Sequence, residues 1–226
     1  MNIAVLQFPG SNCDQDAFQL FASGLGLPTR FVWHKETGLG EADLVVVPGG
    51  FAYGDYLRCG AIARFSPVMG AVREYAEKGG LVLGICNGFQ ILCEAGLLPG
   101  VLMRNARRRF LCQMQHLQVE NAQTAFTRRY RPGQVIKVAI AHGEGNYTID
   151  AAGLAALERD GRVAFRYCDA FGAVGGEANP NGSVNSIAGV YNARFNVLGL
   201  MPHPENLIDP LVGGTDGRAM FEGLAA

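Results

Sequence analysis

The ten residues Leu81-Val82-Leu83-Gly84-Ile85-Cys86-Asn87-Gly88-Phe89-Gln90 constrain this chain more than any other stretch. An apolar run of strand character enters Gly-x-Cys-x-Gly, and a helical pattern follows. This is the spacing of a nucleophile elbow, with cysteine in the place serine often takes. Such a turn strains its central residue, and the flanking glycines remove side chains that would strike the neighbouring strand and helix. Cys86 is then expected to project above a sheet at a helix N-terminus, where the dipole and free N–H groups stabilise a thiolate. The competing reading is a buried structural cysteine, which the glycine spacing disfavours.

An elbow needs a sheet to stand on, and the flanking sequence supplies one. Ile3 to Gln7, Arg30 to Trp33, Leu44 to Val47 and Leu81 to Ile85 read as strands. Between them lie helical patterns at Asp14 to Leu25, from Ser66-Pro67 to Gly79-Gly80, and at Asn87 to Ala95. Alternation of this kind predicts an α/β fold: an open, mostly parallel twisted sheet with helices on both faces. The second half is less regular, with strands expected at Gln115 to Glu120, Val135 to Ala141, Val163 to Tyr167, Ser186 to Tyr191 and Val197 to Leu200. A short helix is expected at Arg218 to Leu224. The cluster Asn179-Pro180-Asn181-Gly182 suggests hairpins and antiparallel additions to the sheet. No repeat or linker interrupts the 226 residues, so one domain over 1–226 is expected.

Composition excludes several functional classes. Nineteen basic residues against twenty acidic ones rule out a globally basic nucleic-acid binder. The longest apolar stretch, Gly80 to Leu98, is broken by Asn87, Gln90 and Glu94, so no membrane span is expected. The start Met1-Asn2-Ile3 lacks a basic leader, and the six cysteines contain no C-x-x-C pair. Reduced thiols, no bound metal and a cytoplasmic location follow as expectations.

A cysteine nucleophile needs a base and a group to orient it. Of four histidines, His34 reads as surface and His116 is ambiguous, whereas His203 lies in Met201-Pro202-His203-Pro204-Glu205 at a strand end. The prolines favour extended conformations around His203, and residues two apart in an extended segment share a face, so Glu205 can reach it. Donors for a tetrahedral oxyanion are expected from the backbone N–H groups of Gly50 and Asn87, with Gly49 a further candidate. Val47-Pro48-Gly49-Gly50-Phe51 ends a buried strand where α/β sheets place their sites. His142-Gly143-Glu144-Gly145 is a second glycine loop at a strand end. Cys13, Cys59, Cys93, Cys112 and Cys168 lack an elbow context and read as structural.

Seven of the sixteen arginines fall between Arg104 and Arg131, where Glu120 is the only acid. In a nearly neutral chain this predicts a basic patch, a solvated face or docking surface in the absence of a nucleic-acid recognition motif.

With the elbow and the His-Pro-Glu unit in place, the chain resembles the class I (triad) glutamine amidotransferases, and within them the purine-biosynthetic branch. The likeness runs through Phe8-Pro9-Gly10-Ser11-Asn12-Cys13-Asp14, Pro48-Gly49-Gly50-Phe51-Ala52-Tyr53-Gly54-Asp55-Tyr56-Leu57-Arg58, the elbow, Ala141 to Gly145 and Met201 to Glu205. The resemblance implies a flavodoxin-like fold and a glutaminase with Cys86 as nucleophile, His203 as base and Glu205 as its partner. It also implies that Gln90, Phe51, His142 and Gly143 meet the glutamine. Ammonia would pass to a large synthetase subunit acting on formylglycinamide ribonucleotide, with a small bridging subunit in the same complex. ATP and Mg are expected on that synthetase, and no cofactor on this chain, which has no P-loop. The alternatives are a class I glutaminase serving another acceptor, a PfpI-like peptidase or chaperone, and a non-catalytic regulatory module. Met201 to Glu205 argues against the second, and the intact Cys86, His203 and Glu205 against the third.

Overall fold

In the computed structural model, which describes residues 1–225, the first half of the chain alternates strand and helix. β1 (Ile3–Gln7) leads to α1 (Asp14–Gln19), which widens into a π-helical turn at Leu20–Gly24. β2 (Thr29–Trp33) and β3 (Leu44–Val47) follow, then α2 (Pro67–Glu77), β4 (Leu81–Ile85) and α3 (Asn87–Glu94). β3 is buried at every residue, as expected of a Val-rich run covered on both faces. Pro67 opens α2 because its missing N–H is one that a first turn leaves unpaired anyway.

The second half contains β5 (Val101–Met103), β6 (Leu111–Val119), β7 (Val135–His142), β8 (Asn146–Thr148), α4 (Ala151–Arg159), β9 (Val163–Cys168), β10 (Ile187–Tyr191), β11 (Val197–Leu200) and α5 (Arg218–Ala225). Nine strands form one sheet in the order β2-β1-β3-β4-β11-β10-β9-β6-β7, and β5 pairs with β8 in a separate ribbon. The five strands from β2 to β11 pair in parallel. The four from β10 to β7 add on antiparallel. The sheet is therefore mixed, and its parallel half carries the elbow.

The order places a switch point between β1 and β3. The chain runs outward from β1 to β2 on one side and from β3 to β4 on the other. With right-handed crossovers, α1 and α2 then cover opposite faces. α3 is pressed onto the parallel half at Gly199 of β11, where an added Cβ would lie 2.2 Å from the Phe89 ring. Burying Phe89 and Tyr147 together, their rings 5.7 Å apart and stacked, joins this helix to the β5–β8 ribbon.

Several expectations are corrected. α4 and the β5–β8 ribbon are not anticipated: α4 is capped by the Asp150 carboxylate accepting from Gly153 N–H, and the ribbon strands have three residues each. Asn179 to Gly182, with Asn181 buried, lies in the long connection between β9 and β10, which pair antiparallel as the cluster suggests. His34 is buried rather than superficial, with Nδ1 2.7 Å from Tyr53 Oη. Among the described residues no helix is long and apolar enough to cross a membrane.

Candidate active site

The elbow forms as its sequence demands. Cys86 adopts φ 50° and ψ −107°, a region that costs a non-glycine residue on the order of 1–3 kcal/mol. The surroundings hold it there. Its N–H donates to the Leu200 carbonyl at 2.8 Å, which ties the turn to the end of β11. A Cβ on Gly88 would sit 1.8 Å from the Val47 carbonyl oxygen, and one on Gly84 would sit 2.5 Å from Leu92 Cδ1. Only glycine lets α3 approach β3 this closely. The Cys86 side chain is thereby placed where β3, β4 and β11 end, and its thiol donates to the Ala141 carbonyl oxygen at 3.7 Å.

The Gly49-Gly50 loop closes against the segment after β1. Phe51 N–H donates to the Gly10 carbonyl at 2.9 Å, and Cys13 N–H to the Gly49 carbonyl at 3.2 Å. Gly50 has φ +148°, and a Cβ there would meet Ser11 Cα at 2.8 Å. The Gly50 N–H donates to no backbone group among the described residues. Asn87 is the first residue of α3, where a helix provides no acceptor for the N–H. These are the two donors expected from the sequence. The Asn87 side chain links them, since its Oδ1 accepts from Ala52 N–H at 3.1 Å and its Nδ2 donates to Gln90 Oε1 at 2.9 Å. Gln90 in turn donates to the Glu144 carbonyl at 2.7 Å. Its amide thus clamps the elbow helix to the second glycine loop. Phe51 stands at the surface, about half exposed.

His203 is fixed by backbone and side chain together. Its N–H donates to the Ala139 carbonyl of β7 at 2.8 Å, an isolated antiparallel bridge. Its Nδ1 lies 2.6 Å from Glu205 Oε1, with both side chains buried. The pairing arises differently from expectation, because Pro204–Asn206 is a 3₁₀ turn rather than an extended segment. The turn, not a shared strand face, brings the carboxylate back to the ring. Burial opposes the imidazolium, but the Glu205 carboxylate, and after it the Cys86 thiol, outweigh that cost and hold the His203 pKa well above the ordinary histidine range. Neither His203 Nε2 nor Glu205 Oε2 has a hydrogen-bond partner among the described residues.

The second glycine loop is held by two asparagines that the sequence reading missed. Asn105 Nδ2 donates to the carbonyls of His142 (2.9 Å) and Arg109 (2.8 Å), while its Oδ1 accepts from Gly145 N–H at 2.9 Å. Asn181 donates to the Gly145 carbonyl at 2.8 Å. Gly143 joins this frame by accepting from Asn105 N–H at 3.0 Å. His142 is buried with its ring against Gly145, and neither ring nitrogen has a hydrogen-bond partner among the described residues. Burial first, and then the charge on His203, lower its pKa to about 4, so the ring is neutral.

Cys13 departs from its structural reading. One ligand atom each of Cys13, His203 and Glu205 lie within 4.8 Å of one another, so a second thiol stands beside the His203–Glu205 pair. The arginine excess also divides. Arg107, Arg108 and Arg109 precede β6, and Arg128, Arg129 and Arg131 follow it. A strand of that length separates its ends by roughly 27 Å. Arg128 and Arg129 are committed to Gly223 and Glu222 of α5.

Residues 1–214 match the CobB/CobQ-like glutamine amidotransferase domain. The chain is 59% identical to the phosphoribosylformylglycinamidine synthase subunit PurQ of Bradyrhizobium diazoefficiens, over all of this chain and 97% of that one. It is 57% identical to the same subunit of Gloeobacter violaceus, again over all of this chain and 97% of the other. Among solved structures it is similar to PurLQS from Thermotoga maritima, with a TM-score of 0.86 and 40% identity, covering 99% of this chain and 97% of that chain.

Proposed function

The chain belongs to the CobB/CobQ-like glutamine amidotransferase domain family, and from that premise we infer that it is the glutaminase subunit of phosphoribosylformylglycinamidine synthase. The observation that carries the assignment is full-length identity of 57–59% to subunits of that enzyme. Its partners are the PurL synthetase and PurS subunits, as in the PurLQS structure it resembles. Six unpaired thiols fit a reducing, cytoplasmic compartment.

The chemistry follows from the site. The Cys86 sulfur, its proton already held on the His203 imidazolium, attacks the side-chain amide carbon of glutamine as a thiolate. The resulting oxyanion is met by the N–H groups of Gly50 and Asn87. His203, its imidazolium stabilised by Glu205, returns the proton to the departing amine. Ammonia leaves and a γ-glutamyl thioester remains on Cys86. Water then attacks the thioester, with His203 again taking and returning a proton, and releases glutamate and the free thiol. Ammonia passes to the synthetase, which converts formylglycinamide ribonucleotide to formylglycinamidine ribonucleotide; we assign ATP and its Mg²⁺ to that partner. The frame of Asn105, Asn181 and Gln90 supports a fixed position for the loop from His142 to Gly145, which we assign, together with Phe51, to holding the glutamine backbone groups. The deciding experiment is reconstitution with PurL and PurS. Amidine formation from glutamine must require this chain, and formation from ammonium salts must not.

A further inference from the structure

Of the Cys13–His203–Glu205 cluster only Cys13 has no part in the reaction as derived, and the three side chains together have the composition of a metal site. We propose that Cys13 Sγ, a ring nitrogen of His203 and a carboxylate oxygen of Glu205 bind a thiophilic divalent cation of the zinc type. The three ligand atoms lie within 4.8 Å of one another. Around tetrahedral zinc such atoms stand about 3.5 Å apart, so each needs to move by about 1 Å or less. A thiolate and a carboxylate neutralise the two charges of the cation, and imidazole completes a sulfur, nitrogen and oxygen set that suits zinc and not magnesium or calcium.

A second observation points the same way. Glu205 is buried, and its Oε2 has no partner among the described residues, which is costly for a charged oxygen unless something satisfies it. The same carboxylate lines a cavity of about 560 Å³ together with Asp16, Gln19, Ser23 and Asn206, open to solvent on the side of α1. Cys13 now donates weakly to Asn12 Oδ1 at 3.5 Å. On binding, the Cys13 proton and the proton that the His203 imidazolium carries both go to solvent, and no redox change is involved. A metal on His203 occupies the base, so glutamine hydrolysis stops; that consequence, unlike the binding itself, rests on the function proposed above.

Binding is measured by equilibrium dialysis of the full chain against Zn²⁺, and by Co²⁺ spectroscopy, where a sulfur-to-cobalt charge-transfer band reports thiolate ligation. The expected result is one ion per chain, retained in Cys86→Ala and weakened about tenfold or more in Cys13→Ser and in Glu205→Gln. Cys112→Ser, which removes an exposed thiol, controls for adventitious binding and is expected to change nothing. Binding that disappears in Cys86→Ala but persists in Cys13→Ser overturns the proposal, as does a charge-transfer band unchanged in Cys13→Ser. Should Cys13→Ser not fold, Glu205→Gln decides by the same dialysis. Dialysis reads the site whether or not the chain hydrolyses glutamine. Binding without inhibition would therefore count against the reaction scheme and leave the site standing.

Discussion

The Cys86 sulfur lies 3.7 Å from the Ala141 carbonyl oxygen, to which its thiol donates, while His203 Nε2 has no hydrogen-bond partner among the described residues. Cys86 and His203 are thus electrostatically coupled but not joined by a hydrogen bond in the free chain. Misplacement of reacting groups by about 1 Å can cost on the order of 100-fold in rate. The isolated chain is therefore expected to turn over glutamine about 100-fold more slowly than the chain docked on its synthetase, where a small shift of β7 or the elbow swings the thiol to His203. Steady-state glutaminase assays with and without saturating PurL and PurS measure this. Equal turnover in the two states would refute it.

Removing the nucleophile separates the two half-reactions. Cys86→Ala is expected to lower glutamine-dependent synthesis by at least about 1000-fold and to spare synthesis from ammonium salts, since ammonia bypasses the thioester. Cys86→Ser is expected to be nearly as inactive, because a hydroxyl yields an anion far less readily than a thiol. Both donors are assayed on the assembled complex. Loss of both activities in a folded, assembled variant would contradict a role confined to ammonia supply.

His203→Ala is expected to approach the loss of Cys86→Ala, whereas Glu205→Gln keeps an oxygen able to accept from His203 Nδ1, now 2.6 Å from the carboxylate. It loses only the charge that stabilises the imidazolium, so a milder fall of about 100-fold in kcat is expected. Comparing kcat and KM for the two variants tests the division of labour. Equal, complete loss in both would show that Glu205 does more than orient and stabilise the ring.

Gly88→Ala tests the elbow as a packing device. The new methyl would lie 1.8 Å from the Val47 carbonyl, against backbone that cannot rotate away. A loss of about 3 kcal/mol or more is expected, read as a lowered urea midpoint at unchanged slope. Gly96→Ala, where nothing lies within 4 Å but φ is +71°, is expected to cost about 1 kcal/mol from backbone strain alone. A Gly88 variant no less stable than the Gly96 one would refute the packing argument.

What was legible in the sequence was local. The elbow carries its own geometry in Gly84, Cys86 and Gly88, so β4 and α3 fall where their pattern puts them. His203 and Glu205 are two residues apart, and their contact survived an error about the backbone joining them. Residues placed by long-range closure were not legible. Cys13 reaches the His203–Glu205 pair because β1 lies beside β3, a pairing of strands distant in sequence. Asn105 and Asn181 act through hydrogen bonds to a loop some 40 residues away in sequence, and nothing in their neighbourhoods distinguishes them from ordinary turn asparagines. His34 read as surface because Lys35 follows it, yet the chain folds it under Tyr53 and Ser66. Charge density misled in the same way, since seven arginines close in sequence divide between the two ends of β6.

The acid stability of the chain should report the buried, unpartnered ring of His142. Its pKa falls to about 4 in the folded state, against roughly 6.5 for an unfolded histidine. Above pH 6.5 the ring is neutral in both states and contributes no pH dependence. Below it the unfolded chain binds a proton that the folded chain refuses, so stability is lost as pH falls and the loss is complete near pH 4. The difference amounts to something on the order of 3 kcal/mol for this one group. Urea unfolding of the wild-type chain and of His142→Phe at several pH values between 7 and 4 isolates it. Phenylalanine keeps an aromatic ring against Gly145 and cannot titrate, so the variant is expected to lose less stability across that window. Curves that fall in parallel would mean that His142 binds its proton equally well in both states.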